Sequence, residues 1–184
     1  MVSGSKKKVL VAGATGYIGK AVVAELLDKG YFVYAIVRKE KRLEYSDQSN
    51  LKVLSLEAGE NSDWTKQLPR IDIIISCLAS RSGCERDANF VDYSLNSDLL
   101  YFALKIKLQH FILLSAICIQ KPKLAFQRAK LRFNSELVAS GLRYSIVLPT
   151  AFFKSLSGQV NRIKNGKSFL VFGNGKRTSS LPIS

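Results

Sequence analysis

Short, wholly apolar runs alternate along this chain with longer stretches in which apolar residues return every three or four positions. Val9–Ala12 is the first such run, and it stops at a glycine. Lys20–Lys29 follows, with Ala21, Val22, Leu26 and Leu27 on one face and Gly30 closing it, which predicts a helix. Tyr31–Val37 is the next β-rich run, and Leu51–Leu56, Ile71–Cys77, His110–Ser115 and Tyr144–Leu148 predict further strands. Helical spacing returns over Asp98–Leu108, where Leu99, Phe102, Ala103 and Ile106 align. It returns again over Lys123–Ser140, which ends at Gly141. The strands lack in/out alternation, the mark of a sheet covered on both faces. Strand and helix alternating in this order predict an α/β fold, a doubly wound parallel sheet.

Composition narrows the setting. An apolar content of 47% in 184 residues supplies a core of ordinary size, and no linker-like stretch divides the chain. No apolar run approaches the roughly 18 residues that a membrane span needs. Met1–Lys8 is short and basic, with neither the apolar segment of a secretory signal nor an Arg/Ser-rich presequence, so a bacterial cytoplasm is the expected compartment. Cys77, Cys84 and Cys118 are odd in number and lack metal-ligand spacing, which predicts reduced thiols and no metal. Lys and Arg total 28 against 14 Asp and Glu, a net charge of +14 that favours anionic ligands. The basic stretches Lys121–Arg132 and Arg162–Arg177 lack the regular aromatic interleaving of a base-stacking surface, so nucleic acid is not the expected partner.

The first strand-to-helix junction carries the chemistry. Gly13-Ala14-Thr15-Gly16-Tyr17-Ile18-Gly19 places one glycine for a sharp turn, one for backbone approach to a pyrophosphate and one for close helix packing. The helix N-terminus behind it offers unpaired N–H groups and the positive end of its dipole. A lone three-glycine pattern is weak, but here a strand precedes it and a helix and second strand follow, as a dinucleotide site requires. Gly13, Thr15, Gly16, Tyr17, Ile18 and Gly19 are therefore candidate cofactor contacts. After the second strand the chain reads Val37-Arg38-Lys39, with no acid before Glu40. An acid there would bind a ribose 2′-hydroxyl, whereas Arg38 suits a 2′-phosphate, so NADPH is the expected cofactor.

The glycine turn resembles that of the extended and atypical short-chain dehydrogenase/reductase superfamily. Four separated segments narrow the resemblance: Cys77-Leu78-Ala79-Ser80-Arg81, His110 to Cys118, Phe126-Gln127-Arg128-Ala129-Lys130 and Pro149-Thr150-Ala151-Phe152-Phe153-Lys154-Ser155. They are similar to the divinyl chlorophyllide 8-vinyl reductase family, whose members reduce the 8-vinyl group of a divinyl (proto)chlorophyllide to ethyl with NADPH. The resemblance covers nearly the whole chain. It implies a Rossmann domain over residues 1–184, with a dinucleotide-binding core at 6–150 and the start of a substrate-binding region at 151–184. Departures are Leu148 where the family has Arg, Ser157 in place of a glycine, and Ser180-Leu181 where the family has Cys-Lys. Family members continue beyond the position of Ser184, so the substrate-binding part is expected to be incomplete. The implied setting lies beside photosynthetic membranes, or in a plastid for a eukaryotic source.

The resemblance also assigns roles. Short-chain reductases use Tyr-x-x-x-Lys on a helix with a Ser on the preceding strand, the spacing of four placing both on one helix face. Here Lys130 and Ser115 hold two of those places, and Phe126 stands where the Tyr would be. Phe126 has no proton to give, which suits a conjugated vinyl substrate better than a carbonyl. The resemblance puts Leu78, Ala79, Lys130, Pro149 and Phe152 against the cofactor, Phe126 and Phe153 against the tetrapyrrole, and Lys154 or water as proton donor. From their pattern alone, Phe126, Ala129, Phe133 and Leu137 form an ordinary core stripe. Ser115 equally suits a strand cap, and Phe152 and Phe153 fit cofactor, substrate or core alike. His110 reads as structural, and Cys118 as a small apolar residue near the pocket. A non-catalytic NADP(H)-binding redox sensor is the alternative function.

Overall fold

Val9, Leu10, Val11 and Ala12 are each almost wholly buried, because β1 (Lys8–Ala12) lies inside a sheet covered on both faces. The computed structural model describes residues 6–38, 48–55, 64–152, 154, 157–169 and 180–181. β1 pairs in parallel with β2 (Phe32–Val37) on one side and with β4 (Ile73–Ser76) on the other. β2 pairs with β3 (Leu51–Ser55), β4 with β5 (His110–Leu114), and β5 with β6 (Tyr144–Val147), all in parallel. The strand order is β3-β2-β1-β4-β5-β6, so the chain winds outward in opposite directions from β1 and from β4. Such a reversal opens a crevice beyond the carboxyl ends of those two strands, where ligands of this fold bind.

Right-handed crossovers place the two sets of helices on opposite faces. On one face, Val23 and Leu27 of α1 (Tyr17–Asp28) join a cluster with Val9, Val11, Val33 and Ala35. On the other, α3 (Leu95–Lys105) and α4 (Ala125–Ala139) bring Leu99, Ala103, Phe133 and Leu137 to Leu10, Ile74 and Phe111. The Phe111 and Phe133 rings stand 6.0 Å apart and tilted. Truncating Phe133 to Ala there would cost about 3–5 kcal/mol by leaving a cavity. α4 starts at Ala125 because the Gln127 side-chain oxygen accepts from the Lys123 and Leu124 amides at 2.9 and 3.0 Å.

Three expectations change. α1 begins at Tyr17, not Lys20, so the second half of the glycine turn is already the first helical turn. The helical region expected from Asp98 starts much earlier: α2 (Glu85–Ala88) runs through a π-helical turn (Asn89–Ser94) into α3. Periodicity hid this stretch because its buried face carries Asp92 and Asn96, polar residues that interrupt an apolar stripe. β6 is not covered on both faces either, since Tyr144 and Val147 are 39% and 49% exposed at the sheet edge.

Residues 1–147 form one compact unit and residues 148–184 a second. In the second, β7 (Ala151–Phe152) pairs in parallel with β8 (Ser180–Leu181), and α5 is Ser157–Lys164.

Candidate functional site

The glycine turn is built from contacts that no side chain would tolerate. Gly13 has φ +78°, and a Cβ on it would lie 2.6 Å from the Cys77 carbonyl oxygen. A Cβ on Gly19 would lie 2.1 Å from the Gly13 carbonyl oxygen, so α1 sits directly on the end of β1. Between them Gly16 is the helix N-cap in extended geometry, and its N–H donates to the Gly13 carbonyl at 2.9 Å. Gly16 has no side chain to cap the helix, and the first turn holds no acid. First-turn N–H groups have no partner within a helix, and the dipole there is positive. This cradle therefore fits a pyrophosphate, with Thr15 and Ile18 half-buried and Tyr17 exposed around it.

Arg38 follows β2 directly and is exposed. Across the crevice, Asp87 accepts from the Ser82 and Arg81 amides at 2.9 Å each and from the Ser82 hydroxyl at 2.8 Å. Those hydrogen bonds, with a smaller contribution from the Arg38 charge, hold its carboxyl below the usual range. Asp87 is thus an acid within electrostatic reach of Arg38 that linear order does not reveal.

Lys130 is the centre of a buried polar network. Only 7% exposed, its Nζ lies 3.0 Å from Asp92 Oδ1, 3.2 Å from the Leu78 carbonyl and 3.4 Å from the Leu114 carbonyl. Asp92 Oδ2 also accepts from the Ser80 amide at 3.3 Å. The π-helical turn that carries Asp92 shifts carbonyls out of the ordinary ladder, and the Asn96 side chain meets two of them. Its Nδ2 donates to the Asp92 carbonyl at 3.0 Å and to the Val91 carbonyl at 3.4 Å. Its Oδ1 accepts from the Ser76 hydroxyl at the end of β4. Ser115, just past β5, is buried and donates to Asn134 Oδ1 at 3.1 Å, one helical turn beyond Lys130. Phe126, one turn before Lys130, is half-buried.

Cys77 lies behind the glycine turn, where burial pushes its thiol up to about 11 and the Lys130 charge opposes the rise. The β5–α4 connection forms an open groove of about 650 Å³ lined by Cys118, Gln120, Lys121, Lys123, Leu124 and Gln127. Cys118, expected as a small apolar residue near the pocket, lines this groove, where it is exposed with φ +64°.

Apart from Arg38, which follows β2, the candidate residues of the first unit thus fall at the carboxyl ends of three adjacent strands or on α4. Gly13–Gly19 follows β1, Leu78 and Ala79 follow β4, and Ser115 follows β5, with Lys130 joining the loop after β4 to the last residue of β5. His110 is at the amino end of β5, where its Nε2 lies 3.0 Å from Ser145 Oγ, consistent with a structural part. Pro149 (buried), Phe152 (half-buried) and Lys154 (exposed) belong to the second unit. Phe153, Lys39 and Glu40 lie outside the described residues. Asp92, Asn96 and Asn134 were missed by sequence reasoning; an Asp and an Asn four apart in a stretch flanked by apolar residues was the available signal.

Comparison with known proteins agrees with this geometry. Residues 13–179 match a family described as NAD(P)H-binding. The chloroplastic divinyl chlorophyllide a 8-vinyl-reductase of Cucumis sativus is 43% identical over 96% of this chain and 46% of its own length. That of Oryza sativa subsp. indica is 45% identical over 98% and 48%. The chain therefore spans about half the length of these relatives. Among solved structures, the UDP-glucose 4-epimerase of Thermotoga maritima superposes with a TM-score of 0.79 at 18% identity, covering 96% of this chain and 69% of that one. The UDP-glucuronic acid 4-epimerase of Bacillus cereus, solved with NAD, gives 0.76 at 18% identity, covering 91% and 66%. At that identity the likeness shows the fold alone. The chain belongs to the NAD(P)H-binding family, with a Rossmann-type fold, and is similar over nearly its whole length to the divinyl chlorophyllide a 8-vinyl-reductases.

Proposed function

We propose that this protein takes part in NADPH-dependent reduction of the 8-vinyl group of a divinyl chlorophyllide or protochlorophyllide. The observation that carries the proposal is the 43–45% identity to plant reductases of that name across nearly the whole chain. The site supports it: a lysine is held at the crevice, and a phenylalanine stands one turn away where a carbonyl reductase would need a proton donor. In this reading residues 6–150 hold the dinucleotide and residues 151–184 begin the substrate-binding region. Its workplace is then the compartment where the pigment is made, a bacterial cytoplasm beside photosynthetic membranes or a plastid. Among the described residues no helix is long and apolar enough to cross a membrane.

Gly13, Thr15, Gly16, Tyr17, Ile18 and Gly19 bind the pyrophosphate through backbone and helix dipole, and Arg38 binds the 2′-phosphate. Leu78 and Ala79 flank the dinucleotide, and the family resemblance assigns Pro149 and Phe152 to it as well. When bound, a reduced nicotinamide supplies a hydride, which a vinyl group conjugated to a tetrapyrrole accepts because the charge spreads into the macrocycle. Lys130 orients the ribose and adds fixed positive charge near that developing anion. Phe126 packs on the flat pigment and Ser115 supports the reacting end, while the family resemblance assigns Phe153 to the pigment and the return of the proton to Lys154 or water.

Incubation with NADPH and a divinyl pigment, followed by chromatography, tests the proposal. A monovinyl product formed in step with NADPH oxidation is the expected result. Tight NADPH binding without turnover on either pigment overturns it in favour of a redox sensor, a reading to which Phe126 also lends itself.

A further inference from the structure

We propose that Asp92 is the positioning residue of Lys130, and that the π-helical turn at Asn89–Ser94 exists to bring it there. A lysine ammonium has three hydrogens to donate. Here its near neighbours are one carboxylate oxygen at 3.0 Å and two carbonyl oxygens at 3.2 and 3.4 Å. The carboxylate contact is the shortest and the only one between opposite charges. The carbonyls of Leu78 and Leu114 are neutral and farther away, the first on the loop after β4 and the second at the last residue of β5. A ribose hydroxyl reaching Lys130 takes the place of one of these carbonyls, while Asp92 keeps hold of the ammonium. Asp92 thus decides where the charge stays when the cofactor arrives.

Independent features of the chain point the same way. The Asp92 side chain is completely buried, a costly place for a carboxylate unless it is paired and hydrogen-bonded. A π-helical turn is rare and often marks a functional position. This one is secured by Asn96, itself 1% exposed, which reaches the Val91 and Asp92 carbonyls and is tied by Ser76 to the end of β4. A line of contacts therefore runs from the Ser76 hydroxyl at a strand end through the Asn96 side chain to the main-chain carbonyl of Asp92, whose carboxylate meets Lys130 on α4. Stabilising the fold alone would be served as well by apolar residues of similar volume.

The inference rests on the assignment of Lys130 to the dinucleotide, and NADPH affinity read by fluorescence separates the two. D92N keeps the size of the side chain and removes its charge. It is expected to weaken NADPH binding between about ten- and a hundredfold, because a displaced charge no longer meets the ribose. D92E, which restores the charge, is expected to recover part of that loss. K130M should weaken binding to a similar degree, and D92N/K130M should bind no worse than K130M alone, since Asp92 acts only through the lysine. The double variant should also melt above D92N, having no unpaired buried charge, so a poorly folded D92N does not stop the test. Losses that add in the double variant, or wild-type affinity in D92N, overturn the role of Asp92. Wild-type affinity in K130M overturns the assignment of the lysine itself, and the role of Asp92 with it.

Discussion

Gly19 packs so closely on Gly13 that a Cβ atom there would stand 2.1 Å from the Gly13 carbonyl oxygen. Both sides of that contact are backbone, so no rotamer change relieves it. Gly19→Ala is therefore expected to push α1 away from β1 and to destabilise the protein by about 3 kcal/mol, the upper range for overpacking. That corresponds to a melting temperature roughly 6–12 °C lower for a chain of this size. Dinucleotide binding should weaken with it, because the helix N-terminus moves. A calorimetric scan showing an unchanged midpoint would contradict the contact.

Arg38 offers a separate reading of cofactor choice. Removing a charge-assisted hydrogen bond costs about 1.5–3 kcal/mol, so Arg38→Ala should weaken NADPH binding about ten- to a hundredfold. NADH, which lacks the 2′-phosphate, should bind as before. Parallel losses for both dinucleotides, measured by titration calorimetry, would remove Arg38 from the discrimination.

The hydrogen bond from Ser115 to Asn134 joins the end of β5 to α4. Ser115→Ala should cost about 1 kcal/mol and lower the melting temperature by roughly 2–4 °C. Asn134→Leu should cost a similar amount, and the double variant less than the sum, since the two residues share one interaction. Full additivity in thermal melts would mean that the bond does not form in solution.

The cysteines give a pH-dependent test. Burial raises the Cys77 thiol from 9.0 to about 11, so the folded state holds this proton more tightly than the unfolded chain does. The resulting stability is complete below about pH 9 and is lost as the pH rises towards 11. A shift of this size amounts to roughly 2–3 kcal/mol. Urea unfolding from pH 8 to 11 should show that decline, and Cys77→Ala should flatten it. The Ser82 hydroxyl, in contrast, lowers the exposed Cys84 thiol. Iodoacetamide near neutral pH should therefore modify Cys84 well before Cys77, a result read directly by mass spectrometry. Early labelling of Cys77 would mean that its shelter behind the glycine turn opens readily.

Much of this protein was legible in linear order. A short apolar run that stops at a glycine, such as Val9–Ala12, suits a buried strand, and Gly13, Gly16 and Gly19 between that strand and a helix suit a dinucleotide cradle. Those are local properties: side-chain size, backbone freedom and spacing along a few residues. Lys130 and Ser115 were also found, but through resemblance to a family rather than through their own pattern. The polar network around them depended on the tertiary structure. Asp92 lies 38 positions before Lys130, and only the winding of α3 and α4 over one face of the sheet brings them within 3.0 Å. A buried carboxylate looks in sequence like a solvated one, because its partner is supplied by another element. The π-helical turn is hidden for the same reason: it breaks the 3.6-residue period that would announce it, and Asn96 and Ser76 hold it from inside the fold. What short-range sterics and hydrophobic periodicity dictate was fixed by the order of residues. Which charges meet in the crevice was decided only when the strands took their places.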